Sequence, residues 1–107
     1  MQSVRLELED GTVIDNPNGS EIADALRRLD QDDNTFAILV RTEMTYMQTA
    51  TTDGGFVLEH QVEGLGQHYR CVERDLSMER VVDAFISYAQ GTGDWRRDFE
   101  WERIDLP

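Results

Sequence analysis

The sequence predicts an α+β fold: one domain over residues 1–107, built as a mainly antiparallel sheet of about five or six strands with two helices packed on it. The expected order is β-(β)-α-β-β-β-β-α-β. Three observations carry this prediction. Most apolar segments are short and alternate with period 2, while two follow helical spacing behind good capping residues. Tight turns separate the central segments, which leaves no room for the crossovers that parallel neighbours require. A length of 107 residues suits one domain and lets it bury a core without disulfides or metals.

The elements follow in order. In VRLELE, Val4, Leu6 and Leu8 alternate with Arg5, Glu7 and Glu9, the pattern of a half-buried strand. Asp10-Gly11 marks a turn, and TVI is a short return. NPNGSEIADALRRLDQ reads as a helix: Asn18 caps it, Glu21 completes a capping box, and Ile22, Ala25, Leu26 and Leu29 form one apolar stripe up to QDDN. TFAILVRT is apolar almost throughout, which predicts a central strand covered on both faces. MTYMQTATT suits a strand with one wetter face. After the Asp53-Gly54-Gly55 turn, FVLEHQV and QHYRCVE pair across EGLG. Centring that hairpin between Gly64 and Leu65 sets Glu59 opposite Arg70 and His60 opposite Tyr69. The second helix starts at Ser77, with Leu76 and Val81 placed as a hydrophobic staple, and Gly91 stops it. Met78, Val81, Val82, Phe85 and Ala89 make its buried stripe, and Ile86 and Tyr88 widen it. The closing segment DWRRDFEWERIDL alternates Phe99 and Trp101 with Glu100 and Glu102, again with period 2.

Charge excludes several functions. The chain has 22 acidic residues against 10 arginines and no lysine, a net charge of −12. Such a surface repels a phosphate backbone and an anionic membrane, and it steers in a cationic partner. Acidity also serves solubility alone. In residues 1–34, Glu7, Glu9, Asp10, Asp15, Glu21, Asp24, Asp30, Asp32 and Asp33 face only three arginines, so this third is a candidate acidic face. No apolar run is long enough to span a membrane and no secretory signal opens the chain. The lone Cys71 rules out an internal disulfide and fits a reducing cytoplasm.

No residue constellation names a reaction. Glu59, His60, His68 and Cys71 lie close in sequence, but their spacing matches no zinc pattern, and the hairpin register sends His60 and His68 to opposite faces. No metal and no cofactor is expected. Cys71 reads as a small buried hydrophobe, with His60 as its only candidate activator. Ser20 and Ser77 belong to helix starts, and no nucleophile elbow or phosphate loop exists. Glu59 interrupts an apolar strand, which suits either a pocket carboxylate or a cross-strand ion pair with Arg70. Trp95 and Trp101 suit either the end of a core or the anchors of an interface.

The chain resembles the small immunity proteins of bacterial polymorphic-toxin systems over roughly residues 16–102. The shared elements are a Pro-led first helix (Pro17 to Leu29) and a Gly54-Gly55 turn into a strand bearing Glu59. They end in a closing block of Val81-Val82-Asp83-Ala84-Phe85, Tyr88-Ala89, Gly91, Trp95, Phe99 and Trp101-Glu102. The resemblance implies no enzymatic activity; it implies occlusion of a toxin, often one that attacks nucleic acid. Sequence and resemblance together lead to a non-catalytic binding protein with a basic toxin domain as partner. Its expected contacts are Asp30, Asp32, Asp33, Glu59, Trp95 and Trp101. The alternatives are a homodimeric interaction domain and a small acid–base or metal enzyme built on Glu59, His60 and His68.

Overall fold

The computed structural model describes residues 3–105, so the domain assignment of 1–107 extends two residues beyond it at each end. Alternation in RLEL and VID builds β1 (Arg5–Leu8) and β2 (Val13–Asp15), joined by the turn in which Asp10 Oδ1 accepts the Thr12 N–H. Helix α1 (Gly19–Leu26) opens on the predicted capping box: Asn18 accepts from the Glu21 N–H, and Glu21 accepts from the Asn18 N–H. It ends earlier than the apolar stripe suggests. Arg27 is its C-cap, and Leu29 follows in a turn in which its N–H donates to the Leu26 carbonyl. Four strands follow: β3 (Phe36–Thr42), β4 (Thr45–Thr52), β5 (Gly55–Gln61) and β6 (His68–Cys71). Then come α2 (Met78–Gln90), the one-turn α3 (Asp94–Arg97) and β7 (Trp101–Ile104). The chain is α+β as expected, with a seventh strand and a short third helix added.

Every neighbouring pair in the sheet is antiparallel, in the order β2-β1-β3-β4-β5-β6-β7. The β5–β6 register is the predicted one, with Glu59 opposite Arg70 and His60 opposite Tyr69. At its start β5 also takes up backbone bonds with Leu76, and a Cβ on Gly55 would sit 2.5 Å from the Leu76 carbonyl oxygen. Only glycine admits that approach.

One face of the sheet carries the core. Leu6, Leu8, Ala37, Leu39, Met47 and Leu58 point to it and are buried against Ile22, Ala25 and Leu26 of α1 and Val81, Ala84 and Phe85 of α2. The opposite face has no helix. This corrects the expectation that β3 is covered on both sides: Ala37 and Leu39 are buried, but Phe36 is exposed and Ile38 and Val40 are only half-buried. The closing segment is corrected as well. Phe99 precedes the strand in a bend after α3, with the Arg80 guanidinium 4.5 Å above its ring, and pairing with β6 begins at Trp101 opposite Cys71.

Candidate functional site

Three places in the molecule gather the chemistry singled out by the sequence. The first is the open face of the sheet with its acidic rim. Strand register places Phe36 beside Ala50 and Ala50 beside Val57, with Ile38 and Val40 continuing along β3 and Val13 at the β2 edge. Val13 is 56% exposed and Phe36 38%, so the strip meets solvent. At the end where β3 begins, the loops carry Glu9, Asp10, Asp30, Asp32, Asp33 and Asp53, all exposed. They are tied to one another. Glu9 Oε1 accepts both the N–H and the hydroxyl of Thr35 at 2.7 Å, Thr51 donates to the Asp30 carbonyl, and Gln31 donates to the Thr52 carbonyl.

The acids of this rim do different things. Asp30 Oδ1 accepts three backbone N–H groups, from Asp32, Asp33 and Asn34, which hold its carboxyl below the usual range. It builds the loop. The neighbouring Asp32 and Asp33 side chains stand exposed on the turn it makes. Of the three aspartates expected at a contact, the fold therefore uses one as scaffold and presents two.

The second place is a polar network within the same open face. Glu59 lies opposite Arg70 in register, yet its carboxylate bonds diagonally to His68 Nε2 at 2.6 Å, and Arg70 bonds forward to Glu102 at 2.7 Å. The expected Glu59–Arg70 pair is thus replaced by two others. The reason lies in β7: it brings Glu102 opposite Arg70 on the far side and frees Glu59 for the imidazole. His68 Nδ1 meets Gln61 Oε1 at 2.9 Å; that oxygen also accepts from Tyr46, and the Gln61 amide donates to the Met44 carbonyl. Gln61 Oε1 and Glu59 Oε1 thus set an acceptor against each ring nitrogen of His68. His68 and Gln61 are buried, while Glu59 and Tyr46 are half-buried, so the network has a buried centre and a partly exposed edge.

The third place is an aromatic cluster on the helix side, around His60. Its ring stacks on Tyr69 at 4.8 Å and meets the edges of Trp95 at 4.7 Å and Trp101 at 4.5 Å. Burial lowers its pKa to about 4, so the imidazole is neutral at pH 7. Trp95, which the sequence left open between core and interface, is buried. The turn after Gly91 folds α3 back along α2, where buried Ser87 accepts the Trp95 N–H and bonds to Thr92. Trp101 is half-buried, and its indole N–H donates to the Trp95 carbonyl. Neither indole forms an open platform.

His60 and His68 lie on opposite faces, as the register predicts. Among the described residues, no three His, Cys, Asp or Glu side chains are placed to hold a metal ion. Cys71 is buried, and burial raises the pKa of its thiol. Among the described residues, no helix is long and apolar enough to cross a membrane. The sequence reading missed Arg41 and Arg96, and took Tyr88 as part of the α2 stripe. The two arginines gave no signal beyond being cations in an acidic chain. Compared with known protein families, curated proteins and solved structures, the chain matches none.

Proposed function

We propose that this chain is a non-catalytic binding module that docks a basic partner protein on the open face of its sheet, as an immunity-type protein occludes a toxin. The observation that carries the reading is the apolar strip of Phe36, Ile38, Val40, Ala50 and Val57 lying beside the exposed carboxylates of the Asp30 loop and the β1–β2 turn. An apolar centre supplies most of the affinity of an interface, and a charged rim sets orientation and association rate. The rim is acidic within a chain of net charge −12, so the complementary partner is cationic. A second copy is the poorer occupant, because two such chains repel one another.

Co-expression with the product of the adjacent gene tests the proposal. A 1:1 complex is expected, forming more slowly as salt rises and lost in Phe36→Asp. Growth protection in cells producing that protein is the matching phenotype. No complex with that product, or a tight homodimer through the same face, would overturn the reading.

A further inference from the structure

A cleft of about 390 Å³ opens beside the aromatic cluster, between the end of β3, the start of β4 and the α2–α3 turn. Its wall includes Arg41, Thr45, His60, Tyr88, Trp95 and Arg96. Acidic residues outnumber arginines by 22 to 10 in this chain, yet among the described residues two arginines and no carboxylate line this cleft. Arg96 is exposed, has no ion pair among the described residues, and holds its guanidinium 4.9 Å above the Trp95 ring. Arg41 donates to the Tyr88 carbonyl and lies over the Tyr88 ring, offsetting the negative end of α2 that would otherwise face the cleft. His60 is only 6% exposed, and its Nδ1 is buried without a hydrogen-bond partner. Orphaned buried polar atoms of this kind are rare in folded proteins and carry a cost.

We infer that this cleft binds a small organic anion, with its carboxylate or phosphate between Arg96 and Arg41 and its apolar body against Trp95 and Tyr88. The volume lies at the lower end of the range of small-molecule pockets, roughly 300–1,000 Å³. The net charge of −12 disfavours a polyanion more than a small anion, because repulsion grows with ligand charge. Because His60 is neutral, it adds no third positive charge to the cleft. The site lies on the helix side of the sheet, away from the proposed protein-binding face, so the two proposals stand or fall separately.

Benzoate, phenyl phosphate and inorganic phosphate are the probes, titrated at low ionic strength and followed by tryptophan fluorescence and calorimetry. Trp95 and Trp101 are the chain's two tryptophans; Trp95 borders this cleft and Trp101 the adjoining one, so the optical signal is local. Saturable binding of at least one aromatic anion, with a Kd below about 1 mM, is expected. Arg96→Gln should weaken it by about tenfold or more, the effect of losing a charge-assisted bond. Arg97→Gln is the control, since that guanidinium is committed to Asp94 and Asp98, and it should leave binding unchanged. The head group of the better aromatic probe identifies the ligand class. No saturable response to either aromatic anion, equal affinity for inorganic phosphate, or undiminished binding in a folded Arg96→Gln protein would each contradict the inference.

Discussion

His60 shows how one residue ties packing to pH. Its imidazole titrates near 4 in the fold, against an ordinary value of 6.5, because burial penalises the charged ring. The unfolded chain therefore takes up a proton first as pH falls. Stability from keeping His60 neutral is fully present above about 6.5 and is lost progressively as pH falls toward 4. Urea unfolding at pH 7 and pH 5 should show this loss in the wild type and a smaller one in His60→Phe, which keeps an aromatic ring without a titrating nitrogen. Equal losses in both proteins would contradict the assignment. Trp95 makes the complementary prediction. Trp95→Ala removes the ring that meets His60, Tyr88 and Trp101, and should cost about 3–5 kcal/mol in the same assay. A loss below about 1 kcal/mol, the scale of surface substitutions, would mean that the indole does not close the core. Its burial was not legible from the sequence, because it depends on Ser87 drawing a one-turn helix back onto α2. Local alternation around Phe99 and Trp101 gave no sign of that fold-back.

At the scale of elements, much was legible. The capping box at Asn18 and Glu21, the Ser77 cap and the Gly91 stop are local chemistry, and the helix starts and the α2 stop fall where that chemistry puts them. Gly91 has a φ of 77° with open space around its Cβ position. Gly91→Ala should therefore cost only backbone strain, about 1 kcal/mol. Gly55→Ala should cost more, because its methyl would collide with the Leu76 backbone. Thermal melts of the two variants rank them directly, and the reverse order would contradict the packing of Leu76 on β5. The β5–β6 register was also legible, since period 2 and a glycine-bearing turn fix it together. Side-chain choice within that register was not. Glu59 has Arg70 opposite and His68 on the diagonal, and only the arrival of β7 decides between them. A double-mutant cycle of Glu59→Gln with His68→Phe should give a coupling of about 1–3 kcal/mol, whereas Glu59→Gln with Arg70→Gln should give close to none. A larger coupling to Arg70 would restore the direct cross-strand pair.

The whole molecule is a seven-stranded sheet with its helices on one side and its sheet exposed on the other. The sequence disguised this asymmetry. AILV reads as a strand buried on both faces, but Ile38 and Val40 belong to the open face and are apolar without a cover in the chain itself. Half-buried and exposed apolar residues on the open face, beside a rim of aspartates, are the feature on which the proposed docking rests. Net charge was legible from composition and its placement only partly so, because Asp30 proved to be scaffold while Asp32 and Asp33 remained presented. Association with a basic partner should accordingly slow as ionic strength rises, and an Asp32→Asn, Asp33→Asn protein should bind more slowly at low salt with little change in stability. Stopped-flow association rates at two salt concentrations check both statements, and rates insensitive to salt and to the substitutions would remove the acidic rim from the interface. The most direct test of the binding face is backbone amide mapping by NMR while the adjacent gene's product is titrated in. Shifts concentrated at Phe36, Ile38, Val40, Ala50 and Val57 are the predicted result, and shifts confined to α1 and α2, or none at saturating concentration, would contradict it.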